Sequence, residues 1–173
     1  MRCRIVRASS GINLYSRGVA DMAVNISIDP GRNTGICVWQ NGKPLDERIK
    51  TLRADGESEQ ELLASLQRQV DEFLCQYAED GIDIVAIEKF PVFHSRDKHQ
   101  AHSQKVAMMM CAQYKGVLFA VANCYAKDVI TVSKGRIQKS ETKQLADAYG
   151  LKGSKDALDA FQIGICAGFD KRG

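Results

Sequence analysis

The chain has 173 residues, 45% of them hydrophobic and 26% charged. That composition excludes a disordered or fibrous chain and allows one domain with a real core. The net charge of +3 leaves the partner open, and no apolar run approaches the ~18 residues of a membrane span.

Residues 1 to 20 carry Arg2, Arg4, Arg7 and Arg17, three serines and no acid. In composition this is like an organellar transit peptide. The simpler account is a start at Met22 with a non-native stretch before it, because the first strand begins just after that methionine. Residues 1–22 are expected to be a poorly ordered extension, and 23–173 a single domain.

Val24 to Ile28 reads as a short apolar strand. It ends in Asp29-Pro30-Gly31, and Gly31 and Gly35 bracket a tight turn. A second strand starts at Gly35, and Asn41-Gly42 signals a hairpin with a partner strand near Leu45 to Thr51. Ser58 is the expected N-cap of a helix, with Glu61 as its capping-box partner. Leu62, Leu63, Leu66, Val70, Phe73, Leu74 and Tyr77 then follow helical spacing. Ile84 to Ile87 is a continuous apolar run of strand length, as expected for a strand covered on both faces, and it ends in Glu88. Phe90 to His102 reads as a loop of aromatics and cations. From about Ser103 to Asn123 the pattern is helical and apolar on more than one side, which means burial or a shared interface. Val129 to Val132 predicts another strand. Ser140 to Tyr149 and Asp156 to Gly168 predict the last helices. The fold class is α/β: a mixed sheet, antiparallel meander plus parallel strands, flanked by helices.

Six cysteines are scattered without a CxxC pair. They read as reduced core residues of an intracellular protein, not as a zinc site. The expected location is the cytoplasm of a bacterial or phage-infected cell, or an organelle if residues 1–21 are a transit peptide. Basic residues concentrate in two stretches. Lys127 to Lys155 holds seven (Lys127, Lys134, Arg136, Lys139, Lys143, Lys152, Lys155) against three acids. The other carries His94, Arg96, Lys98, His99, His102 and Lys105. A charge run is usually a solvated face. These two lie between acids, which makes them candidates for phosphate contact.

Asp29 could be only a turn residue, and a helix dipole alone would favour an acid at Asp156. Glu88 is harder to dismiss, because it sits at the rim of a buried strand where desolvation is costly. Asp156 and Asp159 are three apart and share a helix face. Together the four acids suit a cation, and oxygen-only ligands favour Mg2+ or Mn2+. Two such ions serve phosphodiester hydrolysis. No Ser-His-Asp or Cys-His arrangement competes.

In these residues the chain resembles the RuvC-type Holliday-junction resolvases of the RNase H-like (retroviral integrase) superfamily. Ile28-Asp29-Pro30-Gly31 with Thr34-Gly35, Val85-Ala86-Ile87-Glu88, Gln113-Tyr114-Lys115-Gly116-Val117 and Asp156-Ala157-Leu158-Asp159-Ala160 carry the resemblance. It covers about residues 24 to 168. The short interval from Lys143 to Asp156 matches compact, phage-like forms. The resemblance implies Asp29, Glu88, Asp156 and Asp159 as ligands of two Mg2+ ions, with Mn2+ able to substitute. It implies Lys143 as the lysine that meets the scissile phosphate, and Phe90 or Phe93 as the aromatic that enters the junction. Arg96, Lys98, Lys105, Lys115, Lys134, Arg136 and Lys139 are the further candidate DNA contacts. The expected activity is metal-dependent cleavage of four-way DNA junctions in recombination and repair, by a homodimer that pairs through the long helix. Competing expectations are a flap, fork or RNA–DNA hybrid nuclease of the same fold, and a non-catalytic module binding branched DNA. An actin-like ATPase would need a second phosphate loop and a longer chain.

Overall fold

The computed structural model describes residues 24–89, 98–135 and 139–170. The expected N-terminal extension therefore lies outside the described residues. So do Phe90, Phe93, Arg96 and Arg136.

Five strands and four helices follow one another in the described chain: β1 (Val24–Asp29), β2 (Asn33–Gln40), β3 (Lys43–Arg53), α1 (Glu59–Cys75), β4 (Ile82–Glu88), α2 (Lys98–Ala122), β5 (Ala126–Val132), α3 (Lys139–Ala148) and α4 (Lys155–Cys166). The strands form one mixed sheet in the order β3-β2-β1-β4-β5. The first three are antiparallel neighbours, and β4 and β5 extend the sheet in parallel with β1. Asn41 and Gly42 both take positive φ, +53° and +76°, as the expected hairpin turn requires. Ser58 caps α1, and the reciprocal bonds with Glu61 form the capping box.

Strand alternation sorts the side chains into two layers. Val24, Ile26 and Ile28 of β1, Ile36 and Val38 of β2, and Val85 and Ile87 of β4 pack under α1 and α2. Cys37 and Trp39 of β2 and Ile84 and Ala86 of β4 face the other way, with Phe161 and Ile163 of α4. Trp39 is the centre of this second layer. Its ring stacks on Phe161 at 5.3 Å and 5°, and its indole N–H donates to Ser27 Oγ at 2.9 Å.

Several boundaries differ from the sequence reading. Helix α2 starts at Lys98, five residues before the expected Ser103, so residues 98–102 of the expected loop are helical. Residues 98–102 carry no apolar period, yet most are adequate helix formers and extend a helix already nucleated. β5 starts at Ala126, where it pairs with Ile82 of β4, three residues before the expected Val129, since exposed Lys127 and Asp128 carry no apolar strand signal. The cysteines are not uniformly core. Cys37 is buried, Cys75, Cys111 and Cys166 are half-buried, and Cys124 is exposed. Cys124 sits in the turn after α2, where the helix has left the sheet. On α2 itself, Tyr114, Leu118, Val121 and Ala122 are buried, while Met109 is 56% exposed. No described helix is long and apolar enough to cross a membrane.

Candidate active site

The same alternation builds the site. Asn25, Ser27 and Asp29 follow one parity on β1, and Ile84, Ala86 and Glu88 follow it on β4. Ile28 pairs with Ile87 in the parallel ladder, so the next residues, Asp29 and Glu88, emerge side by side at the strand ends. Both face the layer of α4. Ile130 and Val132 of β5 belong to that layer as well, and two residues on comes Lys134.

α4 lies along β2 and delivers its own acid. An added Cβ at Gly35 would stand 1.9 Å from the Asp156 carbonyl oxygen, so helix backbone rests directly on strand backbone there. Further along, Gly164 lies so close to Trp39 that a Cβ would stand 2.3 Å from the indole. Four strand residues span about 13 Å and eight helical residues about 12 Å, which is why both contacts can form at once. Ser154 caps α4 by accepting from the Ala157 N–H, and its hydroxyl also meets Thr51 of β3. Gly35 pairs with Asp29. The contact at Gly35 therefore sets the start of α4 beside the first acid.

The result is a convergence. Lys134 Nζ lies 3.2 Å from Asp29 Oδ1, 3.3 Å from Glu88 Oε2 and 3.5 Å from Asp159 Oδ2. Three elements thus bring three carboxylates to one cation. Asp156 stands one turn before Asp159 and is not among the carboxylates paired with Lys134. Burial is the main cause that pushes the Asp29 carboxyl up to about 8. A hydrogen bond with Glu88 and its charge add to the rise, and Lys134 opposes it. Burial pulls Lys134 down, but the charges of Asp29, Glu88 and Asp159 hold it above its ordinary value. Burial and the neighbouring Glu88 thus keep Asp29 protonated up to about pH 8, and one ammonium faces three carboxyl groups. The site is short of positive charge.

That shortage is the observation against which a metal must be tested. The donors are all carboxylate oxygens from rigid elements, a set that suits a hard divalent cation. Among the described residues, no group of three or more His, Cys, Asp and Glu side chains stands ready to hold a metal ion, and Lys134 occupies the space between three of the carboxyl groups. The donor chemistry fits Mg2+ or Mn2+ once the lysine is withdrawn.

Other candidates are dispersed. Lys143 is exposed on α3 and lines a cleft of about 640 Å3 between α3 and α4. Thr142, Lys152, Lys155, Leu158 and Asp159 also line it, so the cleft runs from a basic rim to the acid cluster. Lys152 and Lys155 were counted in the basic stretch but not singled out, because only the packing of α3 against α4 reveals the cleft. Lys115 lies over the Phe119 ring of its own helix, 5.5 Å from the centroid. Lys98, Lys105 and Lys139 fall on α2 and α3, and their side chains lie outside the described residues. Two cysteines border the site. Cys111 of α2 has its thiol pushed up, first by burial and then by the charges of Glu88 and Asp29. Cys166 of α4 donates to the Lys134 carbonyl at 3.0 Å and so steadies the loop that carries the lysine. Lys134 itself had a sequence signal: it continues the parity of Ile130 and Val132 past the end of β5.

No protein-family model matches the chain, and no curated protein does. Solved structures do match in shape. RuvC of Thermus thermophilus superposes with a TM-score of 0.62 at 16% identity, covering 84% of this chain and 93% of that one. The T. thermophilus RuvC in complex with a Holliday junction substrate gives 0.62 at 19%, covering 85% and 93%. Ydc2, the yeast mitochondrial Holliday junction resolvase, gives 0.50 at 11%, covering 86% and 77%. The likeness is one of fold: this chain shares its sheet-and-helix architecture with those solved Holliday junction resolvases.

Proposed function

We propose that this protein is a divalent-metal-dependent endonuclease that cuts phosphodiester bonds at four-way DNA junctions, and that it acts as a homodimer. One observation carries the reading: Asp29, Glu88 and Asp159, from two strand ends and a helix, converge within 3.5 Å of one cation. A pure binding module gains nothing from carboxyl groups gathered at one point. Asp29, Glu88, Asp159 and the neighbouring Asp156 are the residues that would hold Mg2+, with Mn2+ as substitute. When bound, the metal supplies an activated water and charge for the leaving oxygen.

The chain's own groups do the rest. The rigid strand ends fix Asp29 and Glu88, and α4 fixes Asp159 through its contacts on Gly35 and Trp39. Lys143, Lys152 and Lys155 line a path by which a phosphate backbone reaches Asp159. A junction has two strands to cut and two-fold symmetry, which two copies of one site match.

The test is a panel of labelled four-way junction, flap, fork, duplex and RNA–DNA hybrid, with and without Mg2+. The junction should be cut in preference to the others, and only with the metal. Glu88→Gln should reduce cutting by about 100-fold or more, since it removes one donor charge. Cutting that persists in EDTA, or a hybrid cut faster than the junction, would refute the reading.

A second expectation concerns the cleft. The double variant Lys143→Glu/Lys155→Glu should weaken junction binding by more than tenfold and flatten its salt dependence by about two units of log–log slope. Both residues are exposed, and Glu near the start of α4 suits the helix dipole, so melting should scarcely change. Binding titrations at several salt concentrations measure it. An unchanged slope would remove the cleft from the DNA path.

A further inference from the structure

Lys134 sits where the reading above needs a metal. Its ammonium contacts carboxylates from β1, β4 and α4 at once. Those oxygens would hold Mg2+ at about 2.1 Å. An ion drawing on those carboxylates would compete with Lys134 Nζ for the same oxygens. Two cations cannot share that centre.

We infer that Lys134 is the built-in counter-ion of the metal-free site, and that it gives way to the divalent ion when the site loads. The inference rests on the metal reading of the proposed function. Three features support it. First, the lysine compensates a cluster that would otherwise be bare: Asp29, Glu88 and Asp159 side chains are 13%, 11% and 22% exposed. Second, the exchange needs only a side chain to move. Lys134 stands in a connection between β5 and α3, followed by Gly135 at φ +64°. Its carbonyl is held by Cys166, so the backbone can stay while the four-carbon stem swings. Third, the stem keeps 28% of its surface exposed, which leaves it a way out. Once released beside the acids, its ammonium is placed to meet a substrate phosphate.

The consequence is competition. In the wild type, every metal ion must first displace the lysine, and that lowers the apparent affinity. Lys134→Met removes the competitor and keeps most of the stem. The full-length chain and Lys134→Met should be titrated with Mn2+ in the absence of DNA, by calorimetry or by the electron paramagnetic signal of free Mn2+. The variant should bind about tenfold more tightly or better. In EDTA it should melt lower than wild type, and saturating Mn2+ should raise its Tm by more than it raises the wild type's. Lys134→Arg, which keeps the charge, should bind Mn2+ more weakly than Lys134→Met. If Lys134→Met does not fold, Lys134→Gln should show the same gain in affinity. Equal affinities in wild type and the neutral variants would overturn the exchange and leave the nuclease reading standing. If none of the proteins bound Mn2+, both would fall.

Discussion

Gly35→Ala is expected to cost more than 100-fold in junction cleavage while leaving the fold recognisable. The methyl group would stand 1.9 Å from the Asp156 carbonyl oxygen and 2.4 Å from its carbon. Both are backbone atoms of a capped helix and cannot rotate away. Either β2 or the start of α4 must retreat by more than an ångström. β2 is paired on both edges, with β1 and β3, so the helix end gives way. Asp156 and Asp159 then move with it, while Asp29 and Glu88 stay on their strands. A displacement of about 1 Å in a catalytic group can cost ~100-fold. Overpacking of this kind destabilises by about 1–3 kcal/mol, which lowers Tm by about 2–4 °C per kcal/mol in a domain of this size. Gly164→Ala is the matched control. Its methyl group would meet the Trp39 indole at 2.3 Å, at the far end of the same helix. It should destabilise comparably but spare more of the activity, because Asp159 lies nearer the Gly35 end. Cleavage by Gly35→Ala within threefold of wild type would show that the seat of α4 does not position the acids.

That contact also marks where sequence reasoning stops. The strand ends could be read directly: apolar runs that finish in Asp29 and Glu88 lie at a rim, and alternation sets their face. The spacing of Asp156 and Asp159 puts both on one side of a helix. What no local pattern states is that α4 lies along β2, since that depends on Gly35 and Gly164 offering the helix a surface without side chains. The lysine shows the same limit. Resemblance in motif order points to Lys143, which lines the cleft leading to Asp159, while the ammonium among the acids belongs to Lys134. Alternation past Val132 would have found it, but only once β5 was known to lie beside β4 in parallel. The cleft lysines 152 and 155 are legible only as charge until α3 packs against α4. The long helix was legible as apolar over its second half and unreadable over its polar first turn.

Asp29→Asn should abolish cleavage and, in the absence of metal, leave the protein increasingly more stable than wild type as the pH rises. The sign follows from the direction of the shift. Burial first, then the hydrogen bond and charge of Glu88, push the folded Asp29 up to about 8, against an ordinary value near 4. A carboxyl raised by folding contributes stability that is complete below about pH 4, where it is protonated in both states. That contribution is lost as the pH climbs toward 8, because the unfolded chain releases its proton freely and the folded site resists. The metal-free wild type should therefore lose Tm steadily between about pH 4 and pH 8. Asn cannot ionise, so the variant should match wild type near pH 4 and melt higher by several degrees at pH 8 to 9. Lys134 keeps Glu88 and Asp159 as partners in the variant, so the site does not fall apart. Saturating Mg2+ should reverse the order, since an ion bound by the wild type adds stability that the variant forgoes. Junction binding in EDTA should remain within a few-fold of wild type, because the phosphate-facing lysines are untouched. Thermal melts at pH 4 to 9, in EDTA and in Mg2+, measure all of this in one series. A variant that melts below wild type at pH 9 in EDTA would mean that Asp29 supports the fold as a charged ion-pair partner and not as a strained carboxyl awaiting a cation.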